Sequence, residues 1–137
     1  MNILFVLGSY PSIGGVESVV TNLSNDFTDL GMTVHIVSFE SSCSLEKMRL
    51  HPDVKLLKLS KPVLSKNNRI ILSEYIKEHC VDFVINDWVL PFYVTMLIRK
   101  SIKGTACKLI QAHQNLPTTN ARLKDLEIKM EEKKGVY

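Results

Sequence analysis

Two adjacent glycines, Gly14 and Gly15, close the run GSYPSIGGVE from Gly8 to Glu17 and stand where a periodic apolar segment begins. At a helix start the backbone N–H groups are unpaired and the dipole is positive, so glycine there lets an anion such as a phosphate reach the amides. The spacing is not GxGxxG, because Gly8 and Gly14 lie too far apart, and no Gly-Lys-Ser/Thr follows, which excludes a Walker A loop. A tight strand-to-helix turn and a phosphate cradle both fit the pair. Glu17, in the first helical turn, reads as a partner for the dipole. His113 ends an apolar run in the context AHQN, which sets an imidazole at the mouth of a crevice. Asn86 and Asp87 end another apolar run, where they either bind hydroxyl groups of a sugar or polyol or cap and turn the chain ahead of Pro91. His35, His51 and His79 lie away from these loop positions and read as structural or surface residues.

Such residues act only if strands and helices bring them to one edge. Asn2 to Leu7 (NILFVL) is a continuous apolar run, the pattern of a strand buried on both faces of a parallel sheet. Apolar residues then recur at Val16, Val19, Val20, Leu23, Phe27 and Leu30, one helical stripe, and Gly31 supplies the stop. Thr33 to Ser38 is a second strand, completing a β-α-β unit. Val54 to Leu59 predicts a weaker strand, and Arg69 to Cys80 a helix with Leu72, Ile76 and Cys80 in steps of four. Asp82 to Asn86 is a strand, Pro91 suits a first helical turn, and Val94, Leu97, Ile98 and Ile102 carry a helix to Gly104. Cys107 to Ala112 is a last strand, and Leu123, Leu126 and Met130 give a charged surface helix a thin apolar stripe. The alternation predicts an α/β fold: a Rossmann-like open parallel sheet with helices on both faces, in a single domain over residues 1–137. Ligands in such sheets bind outside the carboxyl ends of the strands, which is where the glycine pair, Asp87 and His113 fall.

Composition narrows the function. With 45% hydrophobic and 23% charged residues the chain is ordinary globular material. A net charge of +3, without aromatic residues interleaved in a basic run, gives no reason to expect nucleic acid. The basic residues are uneven: Lys55, Lys58, Lys61, Lys66 and Arg69 fall between Val54 and Ser73, where there is no Asp or Glu. That stretch is either a solvated face or a surface for anionic lipid or a phosphorylated acceptor. Three cysteines without a CxxC pair point to a reducing compartment and away from zinc. The first strand is too short for a signal peptide, and no run approaches a membrane span, so the expected location is cytoplasmic with at most peripheral membrane contact.

With GGVE at a helix start, GMTVHIVSFE at the exit into a second strand and KLIQAH ending in histidine, the chain resembles the N-terminal, acceptor-side domain of family-4-type GT-B glycosyltransferases over nearly its whole length. The resemblance implies a nucleotide-diphosphate-sugar donor, a glycan or lipid-linked acceptor, and hexosyl transfer with retained configuration and no metal ion or other cofactor. Surface polysaccharide or glycolipid assembly is the setting it implies. Carried over, Gly14 and Gly15 approach the donor diphosphate, and His113 contacts the transferred sugar as the catalytic-site histidine. Asp87 and the Ser9 to Ile13 loop, with Tyr10 and Ser12, face the acceptor. Two departures matter: Ser18 stands where the family often has Arg, and no Glu-x7-Glu is present. The expectation is therefore a truncated chain whose C-terminal nucleotide-sugar domain is absent and which alone does not turn over.

Two rivals remain. Glu40, at the end of the second strand, is where a nicotinamide-dinucleotide oxidoreductase places the acid that binds a ribose hydroxyl, although the glycine spacing is against it. A non-catalytic module that partners a separate chain is the other.

Overall fold

The computed structural model describes residues 1–88 and 91–112. Five strands, β1 (Asn2–Val6), β2 (Thr33–Ser38), β3 (Lys55–Lys58), β4 (Phe83–Asn86) and β5 (Lys108–Gln111), form one parallel sheet in the order β3-β2-β1-β4-β5. Between them run α1 (Gly15–Asp29), a short 3-10 helix (Leu45–Met48), α2 (Lys66–Glu78) and α3 (Phe92–Ile102). The Rossmann-like open sheet expected from the alternation is what the chain forms.

β1 pairs with β2 on one edge and β4 on the other, with Val6 beside both Val37 and Asn86. Alternate residues of this strand therefore enter different cores. Ile3, Phe5 and Leu7 pack with Val20 and Phe27 of α1. Leu4 and Val6 pack with Leu72 and Ile76 of α2 and with Val94, Leu97 and Ile98 of α3. Each side chain from Ile3 to Leu7 is at most 2% exposed, which accounts for the unbroken apolar run. On the α1 side, Phe5 and Phe27 stack with ring centroids 6.3 Å apart. Gly31, at φ 87°, takes the left-handed turn that lets Met32 N–H bond back to the Phe27 carbonyl and releases the chain into β2.

Two helix boundaries differ from the sequence expectation, each for a local reason. α2 starts at Lys66 because Ser65 caps it, its hydroxyl accepting from the Asn68 N–H at 3.1 Å. Its inward row is Asn68, Leu72 and Ile76. The buried Asn68 amide donates to the Ser60 and Val63 carbonyls, so a polar residue holds the first inward position and hides the stripe from an apolar count. Cys80 is not on that row: it lies beyond the helix, exposed, at φ 51°. Pro91 is the residue before α3 rather than within its first turn. The surface helix expected around Leu123 to Met130 lies outside the described residues.

At the amino end of the sheet, fully buried His35 on β2 is held between two partners. The Tyr75 hydroxyl lies 2.7 Å from Nδ1 and the Asn2 side-chain oxygen 3.5 Å from Nε2. The tautomer that satisfies both carries its proton on Nε2, with Tyr75 donating to Nδ1. His79 packs on both rings, at centroid distances of 4.9 Å from His35 and 4.2 Å from Tyr75. Burial, then the neighbouring His79 and Lys55, push the His35 pKa down to about 4, and burial pushes the Tyr75 hydroxyl up to about 12. The histidine reads as structural, as expected.

Because His35 titrates lower in the folded chain than its ordinary 6.5, the unfolded chain binds more protons between those values. Its contribution is fully present above pH 6.5 and is lost as pH falls toward about 4. Urea midpoints measured across this window should fall with pH, and the slope should flatten in His35→Gln. Parallel slopes for the two proteins would show that another group governs the acid limb.

Candidate functional site

The order β3-β2-β1-β4-β5 reverses direction between β1 and β4: α1 crosses on one face, α2 and α3 on the other. Such a switch point opens a crevice at the carboxyl ends of the two central strands. The loop after β1 enters it under close backbone control. Glu40 N–H bonds to the Gly8 carbonyl at 3.1 Å, Tyr10 N–H to the Glu40 carbonyl at 2.8 Å, and Ser42 N–H to the Pro11 carbonyl at 2.9 Å. The loops after β1 and β2 are thus laced together chiefly through backbone groups.

Gly14 precedes α1 in extended backbone and Gly15 is its first residue. Among the described residues no side-chain hydrogen bond caps this end. The two glycines differ in what surrounds them. A Cβ on Gly14 would collide with Glu17 Oε2, since that carboxylate folds back over the helix start. A Cβ on Gly15 would meet no atom of the described residues within 4 Å. The Glu17 carboxylate ends a flexible side chain and can swing aside, so packing within the described residues fixes glycine at neither position; Gly15 differs in that its open side faces solvent at the positive end of a 15-residue helix.

The remaining expected residues are distributed unevenly. Tyr10 is 2% exposed, and its hydroxyl shares a 2.7 Å hydrogen bond with Thr21 of α1, so it anchors the loop to the helix and offers no hydroxyl to the crevice. Ser12 lies at the rim, its Oγ accepting from the Ser42 hydroxyl at 2.8 Å. Asp87 follows β4 directly and is half-buried, its N–H bonded to the Val6 carbonyl at 3.0 Å. Asn86 is fully buried and occupied internally: its amide donates to Gln111 Oε1 at 2.8 Å, and its side-chain oxygen accepts the Trp88 N–H at 3.0 Å. Gln111 in turn donates to Thr95 of α3 at 2.8 Å. Of the two hydroxyl-binding candidates, the structure leaves Asp87 near the crevice and uses Asn86 to fix the turn. His113 lies outside the described residues; the preceding Ala112 continues the ladder, its N–H on the Asn86 carbonyl at 3.0 Å.

Trp88 escaped notice in the sequence. Its indole lies across the end of β1, where a Cβ on Gly8 would come within 3.0 Å of the ring, and reaches Phe39 at a centroid distance of 5.6 Å. A lone tryptophan just after a strand end was the available signal. Beyond it, at the ends of β2 and β3, a groove of about 510 Å³ has an apolar floor of Phe39, Leu59 and Ile71. Lys61 bonds to Glu40 at 2.8 Å on its rim, and Lys58 to the Ser41 hydroxyl at 2.7 Å. The Lys61 ammonium lowers the Glu40 pKa through its hydrogen bond and its charge. The pair is exposed on both sides and holds the carboxylate only loosely. Burial raises the Cys107 thiol to about 11, so it is no nucleophile at neutral pH. No group of three or more His, Cys, Asp or Glu among the described residues is placed to hold a metal ion, and no helix among them is long and apolar enough to cross a membrane.

No family model matches the chain, and no curated protein matches it in sequence. Among solved structures, a glycosyltransferase from Rickettsia africae ESF-5 is similar, with a TM-score of 0.64 at 24% identity over 82% of this chain and 29% of that one. A ugt transferase from Siraitia grosvenorii, solved in complex with UDP, is similar with a TM-score of 0.51 at 12% identity over 79% of this chain and 27% of that one. The likeness is one of fold. This chain spans less than a third of either neighbour and has the Rossmann-like architecture found in such glycosyltransferases.

The contact between Gly8 and Trp88 is testable. Gly8→Ala should cost about 1 kcal/mol by overpacking, and Gly8→Val more. Because Trp88 is the chain's single tryptophan, its emission should shift to the red as the ring is pushed outward. Unchanged emission in Gly8→Val would show that the indole does not rest on Gly8.

Proposed function

We propose that this chain is the acceptor-side part of a glycosyltransferase that moves a sugar from a nucleoside-diphosphate-sugar donor to a glycan or lipid-linked acceptor. The observation that carries the reading is Gly15: open on its outer side, at an uncapped helix start, at the switch point of a sheet like those of glycosyltransferases. Amides so placed stabilise charge on a departing phosphate. Glu17 already holds part of that positive field, so a diphosphate at Gly14 and Gly15 displaces its carboxylate sideways. Ser12 and Asp87 face the acceptor; Tyr10 supports the loop that carries Ser12. His113 contacts the transferred sugar.

The finer reading is a family-4-type hexosyltransferase acting on the cytoplasmic side in surface polysaccharide or glycolipid assembly. Transfer is metal-independent and retains configuration. Its support is the ordered set of GGVE, the exit GMTVHIVSFE and the strand KLIQAH. The C-terminal nucleotide-sugar domain is supplied by a further stretch of polypeptide, and this part alone does not turn over.

Titration of the 137-residue chain with UDP-sugars, followed by Trp88 emission and amide NMR, should give weak saturable binding with shifts at Gly14 to Glu17. Gly15→Ala separates function from structure. It should raise thermal stability slightly, by about 0.5–1 kcal/mol, since alanine is the better helix former and finds open space. It should nonetheless weaken nucleotide binding. Tight binding of a nicotinamide dinucleotide, or nucleotide binding indifferent to Gly15→Ala, would overturn the proposal.

In a protein carrying both halves, His113→Ala should lower kcat roughly a hundredfold, the scale for removing one group that stabilises transition-state charge. Intact transfer would return the chain to the non-catalytic class.

A further inference from the structure

The acid-free stretch from Val54 to Ser73 carries five cations, and the fold separates them. Lys58 and Lys61 line the groove of about 510 Å³ at the ends of β2 and β3, whereas Lys55, Lys66 and Arg69 do not. That volume lies within the range of small-molecule sites. Because β3 is the outer strand, the groove stands to the side of the crevice between β1 and β4. The two adjoin through Phe39, which floors the groove and packs on Trp88.

The wall of this groove holds an unsatisfied group. Asn68, which lines it, is 1% exposed, and its side-chain nitrogen faces only carbonyls, those of Ser60, Pro62 and Val63. The nitrogen must stand there, since an oxygen in its place would meet acceptors alone. The side-chain oxygen is thereby fixed in the opposite direction, buried and without a donor among the described residues. An unpaired buried acceptor costs free energy, which a donor supplied from the groove recovers. The two lysines do not supply it: Lys58 donates to the Ser41 hydroxyl at 2.7 Å and Lys61 to Glu40 at 2.8 Å.

The charges lining the groove nearly balance, with Lys58 and Lys61 set against Glu40. Both lysine contacts lie on the exposed rim and exchange easily for a ligand. A ligand with one negative charge completes the balance, whereas a phosphate dianion would be repelled by Glu40. Phe39, Leu59 and Ile71 offer a floor on which the C–H groups of a sugar ring lose water. A fatty acid would leave Asn68 unpaired, and a neutral sugar would leave the excess positive charge unmet. We infer that the groove binds a carboxylate-bearing sugar, its carboxylate on Lys58 and Lys61, a hydroxyl donating to Asn68 and its ring over Phe39, Leu59 and Ile71. As a statement about the acceptor, that it contains a uronic acid, this rests on the transfer reading; the binding site itself does not.

Amide NMR of the 137-residue chain during titration with methyl glucuronide, methyl glucoside and glucose 6-phosphate tests it. Methyl glucuronide should give saturable shifts at Phe39 to Ser41, at Leu59 to Lys61 and in the Asn68 side-chain amide, weakening with salt. The neutral glucoside should bind at least tenfold more weakly. Lys58→Gln with Lys61→Gln should lower glucuronide affinity roughly tenfold, the scale for losing a hydrogen bond to a charged group. Lys66→Gln, from the same basic stretch but outside the groove, should change little. Glu40→Gln should raise the affinity for glucose 6-phosphate more than that for the glucuronide. Circular dichroism and Trp88 emission establish that each variant is folded.

Any of four results would overturn the inference: no saturable shifts in the groove, equal affinity for glucoside and glucuronide, equal loss in Lys66→Gln and the double variant, or glucose 6-phosphate bound more tightly than the glucuronide. The last would assign the groove to a phosphorylated ligand. UDP-sugar shifts at Gly14 to Glu17 are read in the same spectra, so the donor reading and the glucuronide site can each fail alone.

Discussion

Parallel pairing along both edges of β1 leaves the chain little freedom in how it is drawn. A parallel neighbour cannot be reached by a hairpin, so each return needs a crossover of a dozen residues or more. α1 makes the first return to one edge of β1, and α2 makes the second to the other edge after β2 and β3 are placed. Right-handed crossovers in opposite directions must lie on opposite faces. The split of β1 into two cores and the crevice between β1 and β4 both descend from that one pairing.

Much of this frame was legible because it rests on periodicity. A strand buried on both faces reads as an unbroken apolar run, as β1 does, and β2 was found at its observed bounds from its β-branched residues although His35 and Ser38 interrupt the apolar pattern. β3 read as weak because it is an edge strand with three of its four residues exposed. The start of α2 was misread for want of a rule that counts Asn68 as inward: its position in the apolar row is set by carbonyls of a loop five to eight residues earlier. Apolar counting cannot see a buried amide that satisfies loop carbonyls.

The site was less legible than the fold. Gly14 and Gly15 look alike in sequence and separate only when the folded position of Glu17 is known. Tyr10 sits in a polar loop, which favours exposure, yet its ring enters the core because Thr21 of α1 lies eleven residues on, facing it. Trp88 and Gly8 are eighty positions apart and meet only because β1 and β4 are paired. Asn86 and Asp87 were offered together as hydroxyl binders, but strand alternation sends adjacent residues to different surroundings, and Asn86 went to the network with Gln111 and Thr95.

The two ends of the sheet are fastened by different means. At the amino end the fastening is made by side chains, His35, Tyr75, His79 and Asn2, whose identities cannot change without loss. At the carboxyl end the loops after β1 and β2 are tied chiefly by backbone N–H and carbonyl groups, which nearly every residue type supplies. Substitution there can drift through many sequences while the loops keep their shape. A chain built this way can alter what it recognises at one end while inheriting its fold unchanged from the other.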